Sequence, residues 1–280
     1  MRIARFSHNG QVSYGLVLGA DGPVTDRPAN GHAPAEHDQA QLVVAQLAGH
    51  PFGGSADDIT LTGTRFALDE VRLLAPILPS KVVCVGQNYA DHIDEMGAQR
   101  PPEPVIFLKP STAVCGPGDP IRRPTGISGR VDYEGELAVV IGRLCREVPA
   151  DRTAEVIFGY TCANDVTARD LQARDGQWTR AKGFDTFCPL GPWIETAVDP
   201  VGLSLVTSLN NEVRQRSNTS LLLHEVPALV AFVSQVMTLI PGDVLLTGTP
   251  AGVGPMDKGD EVSVTIEGIG TLSNPVMDRE

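Results

Sequence analysis

The chain has 280 residues, 42% hydrophobic and 20% charged, the profile of a globular protein that is long for one ordinary domain and short for three. Its 22 Lys and Arg against 34 Asp and Glu leave a net charge of −12, a field that repels phosphate backbones and anionic lipid heads, so nucleic acid and membrane surfaces are poor partners. The longest apolar stretch, Val226 to Ile240, is interrupted by Pro227, Ser234, Gln235 and Thr238 and falls short of the roughly 20 apolar residues a span needs. With no apolar export segment in Met1-Arg2-Ile3-Ala4-Arg5-Phe6-Ser7, the expected location is the cytoplasm.

In chain order, residues 2 to 6 and 11 to 18 read as a hairpin turning at Asn9-Gly10. The stretch from Gly19 to Gly63 is polar and rich in Gly, Pro, Asp and His, with one helix expected around Asp38 to Leu47. Ala75-Pro76-Ile77-Leu78-Pro79-Ser80 is linker-like and divides a small N-terminal α+β unit, 1–74, from a larger part, 75–280. There, strands are expected at Lys81 to Gly86, Val105 to Lys109, Gly135 to Ile141, Ile157 to Ala163, Leu203 to Leu209, Asp243 to Leu246 and Glu261 to Ile266. One helix is expected over Val166 to Ala173 and another over Glu225 to Leu239, where apolar residues recur at helical spacing. The regular strand and helix alternation of a doubly wound sheet is missing, so the fold class is mixed and mainly β, a barrel or sandwich with few helices.

Absences narrow the chemistry. There is no phosphate-binding G-x-x-x-x-G-K-[ST], no G-x-S-x-G nucleophile elbow, and Gly268-Ile269-Gly270 leaves too little chain for a dinucleotide-binding helix. Cys84, Cys115, Cys145, Cys162 and Cys188 are odd in number and hold no C-x-x-C pair, which fits buried packing residues better than disulfides or a thiolate zinc site. Carboxylates, histidine, lysine or a metal are left to carry catalysis.

In Val131-Asp132-Tyr133-Glu134-Gly135-Glu136-Leu137, a period of two puts Asp132, Glu134 and Glu136 on one strand face. Buried acids on one face repel and call for a hard divalent cation, although the same pattern also describes a solvated strand face. Asp165 ends a strand at a point that can aim its carboxylate into a site, or it caps the following helix. Gln172 follows two turns later. His92 and Glu95 are three apart, a spacing that lets imidazole and carboxylate act on one water, or that decorates a surface helix. Lys182 is embedded among small and aromatic residues, and Gly248-Thr249-Pro250-Ala251-Gly252-Val253-Gly254 is a turn that can offer N–H groups to an anion.

Taken in order, V-G-Q-N-Y-A-D-H-I-D-E (85–95), D-Y-E-G-E (132–136), N-D-V-T-A-R-D-L-Q (164–172), K-G-F-D-T-F-C-P-L-G-P-W (182–193) and L-T-G-T-P-A-G-V-G (246–254) resemble the fumarylacetoacetate hydrolase family, over roughly Pro79 to Pro275. The resemblance implies the family's β-sandwich roll. It makes Glu134, Glu136 and Asp165 the ligands of Mg²⁺ or Mn²⁺, His92 and Glu95 a water-activating pair, and Lys182 an electrophilic lysine. It puts Gln172 and Thr249 against substrate and Thr186 near the metal and lysine, and it leaves Asp132 out of the metal set. Gln87 departs from the pattern, since many members carry an apolar residue there. The activity implied is hydrolytic C–C cleavage of an acylpyruvate-type 2,4-dioxo acid, a small anionic substrate, by a homodimer. Alternatives using the same metal are oxaloacetate decarboxylation and isomerisation of a hydroxymuconate-type dienoate, in which the metal and Lys182 matter more than His92. A third, of another class, is a metal-stabilised binding protein without catalysis.

Overall fold

Asn9 and Gly10 both take left-handed backbone (φ 48° and 80°), the conformation a two-residue hairpin requires. They join β1 (Arg2–His8) to β2 (Gln11–Gly19), in register from Arg2↔Val17 to His8↔Gln11, as expected. The computed structural model describes residues 1–19, 42–52 and 59–279. Leu42–Leu47 forms strand β3, flanked by β2 and by β4 (Leu61–Ala67), so no helix covers these residues; 38–41 lie outside the described residues. Adjacent Val43 and Val44 suit a strand, and ladders on both sides outweigh the weak helical spacing.

The larger part supplies β5 (Val82–Gly86), β6 (Val105–Lys109), β7 (Gly135–Ile141), β8 (Ile157–Asn164), β9 (Cys188–Glu195), β10 (Ser204–Leu209), β11 (Glu212–Asn218), β12 (Val244–Leu246), β13 (Glu261–Ile266) and β14 (Gly270–Asp278). All seven strands expected there are present. One sheet runs β4-β3-β2-β1-β9-β8-β7-β12-β5-β6, so the N-terminal strands continue the larger part's sheet through Arg2↔Glu195 and Ile3↔Ile194. A second runs β11-β10-β13-β14 and ends on Ile121–Arg123. A third joins the short strands Thr167–Ala168, Val131–Tyr133 and Gly254–Pro255.

Four helices are described: α1 (Ala90–Glu95), α2 (Arg169–Asp175), α3 (Thr179–Lys182) and α4 (Val226–Val236). Pro227 sits in the first turn of α4, where its missing N–H costs nothing, and Val226, Leu229, Val230 and Val233 are buried on one face. That face packs on Leu137, Val139 and Ile141 of β7 and on Leu205, Val264 and Ile266 of the second sheet. Ala138 and Val140, on the opposite face of β7, join Val82, Cys84, Leu190, Ile194, Val244 and Leu246 in a second core. With both faces of β7 covered, the carboxylates at its N-terminal end are drawn into the interior. All five cysteines are buried, as expected for packing residues. Among the described residues no helix is long and apolar enough to cross a membrane.

Candidate metal centre and active site

The acidic segment is not one continuous strand. Val131–Tyr133 belongs to the small sheet and β7 to the large one, and the break falls at Glu134, whose N–H donates to Asn164 Oδ1 (2.9 Å). The single acidic face expected from a period of two therefore splits. Asp132 turns to Arg130 Nε (2.8 Å) and Arg169 Nε (3.0 Å), while Glu134 and Glu136 turn inward to meet Asp165. One carboxylate oxygen from each of these three buried residues lies within 4.8 Å of the other two.

Asp165 does not cap a helix: Thr167–Ala168 pairs with Val131–Asp132 first, and α2 starts only at Arg169. This pairing turns the chain so that Asp165 stays with Glu134, whose carbonyl accepts its N–H (2.8 Å). Two lysines share it. Lys182 Nζ donates to Asp165 Oδ2 (2.8 Å) and Glu134 Oε2 (2.9 Å), and Lys109 Nζ lies 2.8 Å from Asp165 Oδ1. Yet the three hydrogens of the Lys109 ammonium go to the carbonyls of Val166 (3.0 Å), Lys182 (2.7 Å) and Phe187 (2.6 Å). Oδ1 therefore feels a positive charge but receives no hydrogen bond, and it is a buried orphan acceptor.

The glycine-dense turn does receive anions, and they are the protein's own. Gly248 N–H donates to Glu136 Oε2 (2.6 Å) and Gly252 N–H to Glu95 Oε1 (3.0 Å). Both glycines have left-handed φ (101° and 100°), and a Cβ on Gly252 would stand 2.2 Å from Arg214 O, so neither position admits a side chain.

Burial alone would raise every acid here. For Glu134, Lys182 and then Arg169 (Nη2 to Oε1, 2.6 Å) outweigh burial and hold the carboxyl well below the usual range. Glu136 has no ion-pair partner among the described residues; burial, then Asp165 and Glu134, push it well above, and the charge of nearby Lys182 offsets this only in part. Lys182 is kept charged because Asp165 and Glu134 overcome its desolvation. Like charges about 4 Å apart repel by about 4 kcal/mol at an effective dielectric of about 20. An all-oxygen set with one orphaned oxygen fits a hard divalent cation, which would satisfy Asp165 Oδ1 and discharge Glu136 together.

These groups form one wall of a cavity of about 320 Å³, also lined by Val85, Gly86, Gln87, His92, Met96, Ala98, Phe107, Arg169, Gln172, Ala173, Trp178 and Thr249. His92 and Glu95 sit on α1 as their spacing requires, with Nδ1 to Oε2 3.1 Å apart; this bond leaves Nε2 free to act. Thr249 donates to Gly135 O (2.9 Å) and accepts from Gln215 Nε2 (2.8 Å). Gln172 reaches the cavity through the helical step from Arg169, whose Nη1 donates to its Oε1 (2.7 Å), and shares no helix with Asp165. Thr186 is not on the cavity wall: its Oγ1 accepts from Arg122 N (2.8 Å) in a left-handed turn (φ 70°). Sequence reasoning passed over Lys109 and Arg169. The available signals were a lysine ending an apolar strand and an arginine inside the N-D-V-T-A-R-D-L-Q stretch.

Similarity to known proteins agrees with this geometry. Residues 1–76 match the family described as Rv2993c-like, N-terminal. Protein Rv2993c of Mycobacterium tuberculosis is 58% identical over 243 residues, 86% of this chain and 90% of that one. Oxaloacetate tautomerase Fahd2a, mitochondrial, of Rattus norvegicus is 46% identical over 220 residues, 74% of this chain and 70% of that one. The crystal structure of 5-carboxymethyl-2-hydroxymuconate delta-isomerase from Mycobacterium smegmatis superposes with a TM-score of 0.87 at 52% identity, both chains fully covered. Maleylpyruvate hydrolase from Sphingobium sp. SYK-6, in complex with manganese(II) ion and pyruvate, superposes at 0.76 and 30% identity, again with both chains fully covered. Residues 81–277 match the family described as fumarylacetoacetate (FAA) hydrolase C-terminal, and this chain belongs to the fumarylacetoacetate hydrolase family.

Proposed function

We propose that the chain is a Mg²⁺- or Mn²⁺-dependent enzyme of enol and keto chemistry on short 2-oxo acids, a tautomerase or isomerase before a hydrolase. The observation that carries this reading is Lys182 Nζ, buried and charged, between Glu134 and Asp165 at 2.9 and 2.8 Å. A cation held by Glu134, Glu136 and Asp165 would supply Lewis-acid charge to the oxygens of the substrate. Lys182 adds a fixed positive charge where negative charge develops as the 2-oxo group becomes an enolate. Glu95 fixes His92 through Nδ1, so Nε2 can carry a proton to or from C3 of the substrate. Phe107, Trp178 and Val85 exclude water around that carbon. The oxaloacetate tautomerase and hydroxymuconate isomerase similar to this chain support this order of preference.

Hydrolytic C–C cleavage is the second reading, supported by the His92 and Glu95 pair and by the similar maleylpyruvate hydrolase. There His92 Nε2 would deprotonate a water. Oxaloacetate, its decarboxylation product and a panel of 2,4-dioxo acids, assayed with Mg²⁺ or Mn²⁺ and with chelator, separate the readings. Metal-dependent acceleration of the oxaloacetate enol absorbance change is expected. Cleavage of 2,4-dioxo acids without any acceleration of enol and keto exchange would reverse the order. A homodimer belongs to the same proposal, and a monomer by light scattering at micromolar concentration would remove it.

A further inference from the structure

The cavity wall has few polar groups left to recognise substrate. Lys182 is committed to Glu134 and Asp165, Arg169 to Asp132, Glu134 and Gln172, and Thr249 to Gly135 and Gln215. Glu136 is held by Gly248, His92 by Glu95, Gln172 has its Oε1 taken by Arg169 and keeps only its Nε2, and the remaining lining residues apart from Gln87 are largely apolar. Gln87 is different: it lines the cavity half-buried, and its carboxamide makes no hydrogen bond to any other described residue.

Its backbone is also held in an unusual state. Gln87 has φ 58°, a left-handed conformation that costs a side-chain-bearing residue free energy and persists only where its neighbours enforce it. Asn88, fully buried, supplies that enforcement: its Nδ2 donates to His224 O (3.0 Å) and Thr247 O (2.8 Å), and its Oδ1 accepts from His224 N (2.8 Å). On the other side Gly86 lies against Trp178, where a Cβ would stand 2.6 Å from the indole ring. Rigid clamps before and after Gln87 present a free donor and acceptor to the cavity.

We propose that Gln87 is a specificity-determining residue whose carboxamide hydrogen-bonds the C4 carboxylate of a four-carbon 2-oxo dicarboxylate. This rests on the reading of the cavity as a 2-oxo acid site. The carboxylate and 2-oxo oxygens of such a substrate belong with the acidic cluster and Lys182, and the C4 group is the polar end they leave unpaired. A neutral amide reading a carboxylate through one charge-assisted hydrogen bond discriminates by about 10- to 100-fold.

The test compares two acids that share the same 2-hydroxy carboxylate end and differ in the C4 carboxylate, malate and lactate, titrated calorimetrically into the full chain with Mn²⁺; oxalate is the reference. In wild type, malate is expected to bind at least about tenfold more tightly than lactate. Gln87→Leu, which keeps the bulk, and Gln87→Gly, which relaxes the left-handed backbone, are both expected to erase that preference and leave oxalate affinity unchanged. In turnover, both raise KM for oxaloacetate by about tenfold or more with kcat little altered. A malate preference that survives in both variants overturns the proposal, as does an equal loss of oxalate and malate binding. If wild type binds none of the three with Mn²⁺, the reading of the site itself has failed, and the role of Gln87 fails with it.

Discussion

Buried acids at two places along the large sheet are treated in opposite ways. Asp243, fully buried just before β12, has both oxygens fully engaged: Oδ1 accepts from Ser80 Oγ (2.6 Å) and Lys81 N (3.3 Å), Oδ2 from Ile240 N (2.9 Å) and Lys81 Nζ. It ties the linker-like segment at Ser80 to the sheet and nothing further is asked of it. Asp165 and Glu136 are equally buried, yet one has an oxygen that meets Lys109 without accepting a hydrogen bond and the other has no ion-pair partner among the described residues. Burial of charge is common to both sites; incomplete compensation is what separates a site built for a ligand from a structural pair.

Exchanging the treatment of the two sites should sharpen that contrast. Glu136→Gln keeps an acceptor for Gly248 N–H but removes a ligand. It should weaken Mn²⁺ binding, read by calorimetry, by more than the roughly 10- to 100-fold that outer-shell changes cost, and abolish metal-dependent turnover, while the metal-free melting temperature does not fall. His92→Ala leaves the acidic cluster intact, so Mn²⁺ affinity should hold while the rate of proton transfer drops by about 10² to 10⁴. Asp243→Asn should do the reverse: about 3 kcal/mol lost in denaturant unfolding, with kcat of the folded fraction retained.

Smaller effects follow from linkage. Free Mn²⁺ at about 100 times its Kd should stabilise wild type by about 2.7 kcal/mol, and Glu136→Gln not at all at the same concentration. Without metal, burial, then Asp165 and Glu134, raise the Glu136 carboxyl above its ordinary 4.5. Its contribution to stability is then fully present below pH 4.5 and is lost as pH rises through the raised value. Metal-free wild type should accordingly lose stability on the rising side relative to Glu136→Gln, in paired urea titrations.

The sequence carried much of this, unevenly. Glu134, Glu136 and Asp165 were legible as one set only through the family resemblance, because alternating acids on a strand also describe a solvated face, and the turn from Gly248 to Gly254 was legible as an anion receiver, although its anions proved to be Glu136 and Glu95. Strand β9 was not anticipated. Cys188-Pro189-Leu190-Gly191-Pro192-Trp193 reads as loop, since proline cannot donate to a ladder. It nevertheless lies between β1 and β8, with its register shifting opposite Tyr160 and Cys162. The break at Glu134 was equally hidden, because alternation predicts faces only while one strand lasts, and Arg130 and Arg169 recruit Asp132 across it. Lys109 escaped notice because its meaning lies in carbonyls from residues 57 to 78 positions away.

The most direct measurement is a crystal of the full chain grown with Mn²⁺ and recorded at an anomalous-scattering wavelength. A single strong peak bonded to one oxygen each of Glu134, Glu136 and Asp165, with Asp165 Oδ1 no longer orphaned, is the result expected. A peak elsewhere, or none at saturating Mn²⁺, would contradict the claim that this cluster of three carboxylates, whose Glu136 has no ion-pair partner among the described residues, is built to hold a cation.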